Sequence, residues 1–167
     1  MPMTTTELFE FLDSISVRPT TVEHEQVRTV EESKALRGAI RGLHTKNLFL
    51  RDAKRRYFLV VANEDTRINL KSLASRIGAS GRFSFASSQA LMDILGVEPG
   101  AVSLLALVND QQNQTTIVLD ESLLNASTIN CHPLSSRFTT SLTNDDVVQF
   151  LRAINRTPVY LDCRGLE

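Results

Sequence analysis

No run of 18 apolar residues occurs in this 167-residue chain, which excludes a membrane-spanning helix. The start, Met1-Pro2-Met3-Thr4-Thr5-Thr6-Glu7, lacks a basic stretch and an apolar core, so no secretory signal is expected. Cysteine is scarce. Cys131 and Cys163 alone make no disulfide framework, and a reduced, cytoplasmic protein is the simpler expectation. Charge of either sign is barely in excess, at −1 net, which taken alone argues against a nucleic-acid partner. Also absent are a phosphate-cradling glycine loop, a GxSxG elbow, HExxH and CxxC. The three histidines, His24, His44 and His132, show no ligand spacing, so neither a metal nor another cofactor is expected.

What is present reads as one folded domain over residues 1–167, with 42% apolar and 22% charged residues. Thr4 and Glu7 form a capping box ahead of a helix whose inner face is Leu8, Phe11, Leu12 and Ile15. Pro19–Val22 reads as extended, and residues 30–38 as a helical turn ending at Gly38. Thr45–Leu50 and Tyr57–Ala62 read as a hairpin about Asp52-Ala53-Lys54-Arg55. Asn69 caps a helix stopped by Gly78, and Ser87 or Ser88 starts another stopped by Gly96. Phe83 and Phe85 alternate as in a short strand. Val102–Val108 and Thr115–Leu119 read as strands joined by the polar turn 109–114. Thr143 caps a last helix, and Pro158–Leu161 closes as a strand. Hairpins without a strict βαβ rhythm predict an α+β domain with a mixed, barrel-like sheet and surrounding helices.

The distribution of charge is more telling than its sum. Lys34, Arg37, Arg41, Lys46, Arg51, Lys54, Arg55 and Arg56 stand against Asp52 alone over residues 34–56. Such a segment is either a polyanion site or a solvated turn. The acidic pairs Glu31-Glu32 and Asp145-Asp146 read as helix-start acids that complement the macrodipole. Cys131 and His132 are adjacent, so in extended chain they point apart and make a poor nucleophilic pair.

Three segments stand out. Lys46 lies between polar Thr45 and Asn47 at the entrance of an apolar strand. Gly96-Val97-Glu98-Pro99-Gly100 reads as a helix stop and turn that can also present backbone N–H groups to an oxyanion. Asn130-Cys131-His132-Pro133-Leu134 reads as a loop after a strand.

With Thr29-Val30-Glu31-Glu32, Ile68-Asn69-Leu70-Lys71 and Ser80-Gly81-Arg82-Phe83-Ser84-Phe85, these segments run in order along nearly the whole chain. Together they resemble the YbaK/ProX family, relatives of the editing domain of bacterial prolyl-tRNA synthetases. The stand-alone, alanine-specific branch is the nearest likeness, and Thr45-Lys46-Asn47-Leu48-Phe49-Leu50 carries it most specifically.

The resemblance implies metal-free hydrolysis of the ester joining an amino acid to tRNA, with Ala-tRNA(Pro) as substrate. It implies that Lys46 is the catalytic residue, holding the terminal nucleotide or polarising the ester. Thr45, Asn47, Gly96, Val97, Pro99, Gly100 and His132 would line the substrate pocket. Water, assisted by the tRNA's own terminal hydroxyl, would be the nucleophile. Arg51, Lys54, Arg55 and Arg56 would meet tRNA phosphates, and prolyl-tRNA synthetase is an implied partner. One stretch departs from the family pattern. Where members read Asp-His-Pro-Pro-Val-Phe, this chain has Glu23-His24-Glu25-Gln26-Val27-Arg28, with Arg28 a further candidate phosphate contact. The rival readings are a deacylase for cysteinyl or seryl groups, and a non-catalytic tRNA- or synthetase-binding module.

Overall fold

In the computed structural model, which describes residues 1–25, 35 and 40–165, the chain forms a mixed sheet flanked by helices. This is the α+β architecture expected. The helical turn predicted over 30–38, apart from Ala35, and the candidate contacts Arg28, Lys34 and Arg37 fall outside the described residues.

The elements in chain order are α1 (Thr5–Ser14), β1 (Thr20–Glu23), β2 (Leu43–Arg51), β3 (Tyr57–Asn63), α2 (Leu70–Arg76) and β4 (Ser84–Phe85). There follow α3 (Ser88–Leu95), β5 (Thr115–Asp120), β6 (Thr128–Cys131), β7 (Phe138–Thr143), α4 (Asn144–Ala153) and β8 (Val159–Leu161). The sheet order is β1-β7-β6-β2-β3-β5-β8, with β4 added to β2. Strand β2 pairs antiparallel with β3 and β4, but parallel with β6.

Side-chain alternation along the hairpin divides the interior. Phe49, Leu59 and Val61 face a large core with α1, α3 and α4, which also holds Leu8, Leu12, Leu95, Phe150 and Leu151. Leu50, Phe58 and Val60 face a smaller core beneath α2, with Leu73, Val118 and Cys163. Each fully buried leucine contributes about 2 kcal/mol, so β3, buried on both faces, anchors the domain.

The capping boxes are local and legible. The Thr4 hydroxyl accepts from the Glu7 amide, and the Thr143 hydroxyl accepts from the Asp146 amide. Asn69 and Ser87 cap α2 and α3 in the same way.

Two expectations need correction. Residues 102–108 are not a strand: Leu104–Asn109 is a 3₁₀ helix, with Ser103 Oγ accepting from the Leu105 amide. Its Leu-Leu-Ala-Leu core is buried on every side and is poor in the β-branched residues that favour pleated chain. Asn130 and Cys131 belong to β6 rather than to a loop, and β7 was unforeseen. Strand β7 buries Thr139 and Thr140 beside a single fully buried apolar residue, Leu142, so its hydrophobic alternation is weak.

Candidate active site

Strand β2 has a complete neighbour on one edge only. On the other, β6 pairs with Leu43–His44 and β4 with Leu50–Arg51. Among the described residues no strand covers β2 between these pairings. The Thr45 hydroxyl donates to the Asn130 carbonyl at 2.7 Å at one end, and the Ala86 amide to the Phe49 carbonyl at 2.9 Å at the other. Lys46, Asn47 and Leu48 therefore lie in a slot where the sheet parts.

Lys46 and Asn47 leave this slot by opposite faces. Lys46 shares the face of Leu48 and Leu50, and its half-buried ammonium donates to the Thr66 carbonyl just ahead of α2. An ammonium has three N–H donors, so one bond to Thr66 orients it and leaves two for a ligand. Asn47 shares the face of Thr45 and Phe49. Its Oδ1 is buried and has no hydrogen-bond partner among the described residues.

A second feature lies at the loop after α3. Gly96, Val97, Glu98, Gly100 and Ala101 face Ser135, Ser136 and Arg137 across a groove of about 390 Å³. Gly96 caps α3 at φ 65°, and its N–H is already used by the Leu91 and Met92 carbonyls. A Cβ there would stand 2.5 Å from Pro2 Cβ and 2.8 Å from Asn109 Nδ2, so both backbone angle and space require glycine. Pro99 does not line the groove but opens the 3₁₀ turn Pro99–Ala101 behind it.

His132 connects the two features. It follows β6 directly, two residues beyond the Asn130 carbonyl that holds Thr45. Its own carbonyl accepts from Ser103 Oγ at 2.5 Å. Its Nδ1 donates to the Phe138 carbonyl at 2.8 Å, since a carbonyl can only accept. Burial pushes the imidazole below the ordinary histidine range; the Phe138 carbonyl opposes the shift and nearby His24 adds to it. The shift favours the neutral ring, with Nε2 the acceptor nitrogen by tautomer.

His24, far away in sequence, sits with its ring centroid 6.4 Å from that of His132. It is tied to Thr139 Oγ1 at 2.8 Å and to the Glu25 carbonyl at 2.9 Å. Asn130 was likewise not foreseen as a hub. Its amide donates to the Arg41 carbonyl at 3.0 Å, and its Oδ1 accepts from Ser141 Oγ at 2.6 Å. No signal in the sequence marks these pairings, since each joins distant segments. Cys131 offers no nucleophile, because burial pushes its thiol up to about 12.

The basic residues gather at the β2–β3 turn. Arg51, Lys54 and Arg55 are exposed there, but Arg56 is engaged with Asp52 at 2.8 Å and with the Gly78 carbonyl at 3.0 Å. Thus Lys46, Thr45 and Asn47 lie together on β2, and Gly96, Val97 and Gly100 together on the groove. Strand β6 runs from the first group toward the second, and β4 leads from β2 into α3 and the Gly96 loop.

The family model for the aminoacyl-tRNA editing domain matches residues 24–150. The chain belongs to the YbaK/ProX family of aminoacyl-tRNA editing domains. It is 39% identical over 157 residues to the Danio rerio prolyl-tRNA synthetase associated domain-containing protein 1, covering 93% of this chain and 85% of that protein. It is 36% identical over 147 residues to the prolyl-tRNA editing protein ProX of Acetoanaerobium sticklandii, covering 87% and 89% of the two chains. In fold it resembles the crystal structure of a candidate trans-editing enzyme for prolyl tRNA synthetase, with a TM-score of 0.74, 18% identity and 99% of each chain covered. This membership makes the chain an aminoacyl-tRNA deacylase that edits mischarged tRNA. No helix among the described residues is long and apolar enough to cross a membrane.

Proposed function

We propose that this chain, acting as one domain in the cytoplasm, removes alanine from mischarged proline tRNA in partnership with prolyl-tRNA synthetase. The observation that carries the reading is the oriented, half-buried Lys46 ammonium in the parting between β6 and β4. Water attacks the ester carbonyl carbon, assisted by the neighbouring ribose hydroxyl of the tRNA. The bond from that carbon to the ribose oxygen breaks, and the proton passes to the departing oxygen. Negative charge grows on the carbonyl oxygen during attack. A fixed ammonium in a partly water-excluded site stabilises it far more than a mobile one in bulk water.

Thr45 and Asn47 line the slot on the face of β2 opposite Lys46, and the glycine-rich loop offers backbone contacts to the aminoacyl group. His132, positioned by Phe138 and Ser103, supplies the wall that admits alanine and refuses proline. Arg51, Lys54 and Arg55 meet acceptor-stem phosphates.

A panel of tRNAs charged with alanine, proline, serine or cysteine, incubated with the purified protein, tests this reading. Alanine should be released from proline tRNA and proline should not. Release of serine or cysteine alone would reassign the substrate. Lys46→Ala should lower the single-turnover rate on the order of a hundredfold, with the melting temperature nearly unchanged. Near-normal turnover by that variant would overturn the mechanism.

A further inference from the structure

Phe83 and Phe85 stand two residues apart, on one face of the same short stretch, but have different fates. Phe83 packs edge-on against Phe58, with ring centroids 5.1 Å apart, and joins the core under α2. Phe85 remains 65% exposed. Its backbone is nevertheless well fixed: Phe85 pairs with Leu50, Ser84 pairs with Arg51, and the next amide, Ala86, donates to Phe49. A lone exposed apolar residue is ordinary in any protein. An aromatic ring held out on paired backbone among cations is a more specific arrangement. Arg82 is exposed just before the strand and Lys54 and Arg55 project from the adjoining turn, while Arg51, across from Ser84, is exposed on the opposite face.

The register also fixes the ring's relation to the proposed reaction centre. Residues directly opposed in an antiparallel pair share a face, so Phe85 lies on the face of Leu50. Alternation puts Lys46 on that same face, four residues earlier, which is about 13 Å along the strand. A short extended run of nucleotides bridges that distance.

We propose that Phe85 is a stacking platform for an unpaired base near the 3′ end of the tRNA acceptor strand, while the terminal nucleotide lies at Lys46. The inference rests on the deacylase reading above. Single-stranded nucleic acids are held by this pairing of a cationic surface with an aromatic face, and stacking tolerates any base because each has a π-face. Phe85 is thus a positioning residue. It sets the path of the strand and takes no part in ester cleavage.

The chain contains no tryptophan. Phe85→Trp therefore reports from one place by fluorescence. The probes are two uncharged RNA hairpins, one with the unpaired tRNA-type 3′ end and one blunt. The first should quench the emission saturably, and the second at least about tenfold more weakly. Phe85→Ala should raise the enzyme concentration needed for half-maximal deacylation about tenfold, leaving the saturated rate and melting temperature unchanged. Phe85→Leu, apolar but without a π-face, should behave as the alanine variant does; rescue by leucine would make the site an apolar contact and overturn stacking. Equal quenching by both hairpins would also overturn it. The two readings fail separately. Deacylation intact in wild type and Phe85→Ala alike removes the platform and leaves the enzyme. Wild-type protein inactive on every charged tRNA removes the enzyme, while the hairpin comparison still decides the platform.

Discussion

The tip of the β2–β3 hairpin and the groove below α3 are built in opposite ways. At the tip, buried Asp52 accepts from the amides of Lys54 and Arg56, and from Arg56 Nε, all within four residues. Three further bonds, from the Ser80 amide to Asp52, from the Ala53 amide to the Ser80 carbonyl and from Arg56 to the Gly78 carbonyl, tie this turn to the segment just after α2. Around the groove the ties are long. Met3 bonds Asn109, Thr5 bonds the Pro133 carbonyl and His24 bonds Thr139, across 106, 128 and 115 residues. A turn whose partners are neighbours keeps its shape wherever the chain places it. A groove whose partners are distant exists only when the whole sheet has formed. The tip can therefore vary in charge without cost to the fold, provided Asp52 and Arg56 remain, whereas the groove is sensitive to packing throughout the large core.

The sharpest break is Asp52→Ala. It leaves three amides and a guanidinium group without their acceptor, a loss of about 3 kcal/mol in folding stability. Burial alone would raise the Asp52 pKa, but the Ser80 and Arg56 amides and the Arg56 guanidinium hold it down to about 2. Because the folded value is depressed, this stabilisation is complete above about pH 5. It is lost as pH falls from about 4 through 2, when the carboxylate takes up a proton. Urea unfolding at pH 7 and at pH 3 checks both statements. Wild type should lose stability between the two, and the variant should lose less. An equal loss in both would place the acid-sensitive group elsewhere.

The same contrast explains how much was legible beforehand. Helix caps at Thr4, Asn69 and Thr143, and the hairpin about Asp52, depend on residues three to five apart, so pattern alone finds them. Strand β7 was hidden because Thr139 and Thr140 are buried with their hydroxyls bonded to His24 and Thr21, which no local pattern announces. The apolar run 102–108 suited either strand or helix. Only its burial on all sides decided for the 3₁₀ turn. Of the candidate site, Lys46 was visible as a cation in an apolar strand. That Lys46 and Asn47 leave β2 by opposite faces follows from alternation, but the parting of the sheet around them does not. The meeting of His24 with His132 needed the register of β1 on β7.

A smaller effect is expected from altering the His132 wall without disturbing the tip. His132→Ala removes the ring and also the bond to the Phe138 carbonyl, which is worth about 1 kcal/mol. His132→Asn trims the ring while keeping an N–H near the position of Nδ1. Both variants should release proline from correctly charged prolyl-tRNA at least about tenfold faster than wild type, with alanine release slowed only a few-fold. Rates on both substrates separate the roles. Loss of both activities in the asparagine variant would make His132 catalytic or structural rather than a gate, and no change in either would put the wall elsewhere.

The smallest effect should come from the tip's free cations. The run of charge in the sequence groups Arg51, Lys54, Arg55 and Arg56 as one phosphate-binding set, but the structure divides them. Arg56 is tied to Asp52 and to the Gly78 carbonyl, so its removal mixes lost stability with lost affinity. Replacing Arg51, Lys54 and Arg55 by glutamine keeps the Asp52 turn and removes three exposed charges. Exposed cations contribute little to folding, so the melting temperature should hold. If all three meet phosphates, the slope of log affinity for tRNA against log salt should become shallower by about 2 to 3. The saturated deacylation rate should be unchanged, because the proposed reaction centre at Lys46 is on another part of β2. Arg56→Gln should show the reverse, with a lower melting temperature and a salt slope close to wild type. A triple variant with an unaltered slope would make the tip a solvated turn and leave Arg41, exposed just before β2, as the next candidate for the phosphate contacts.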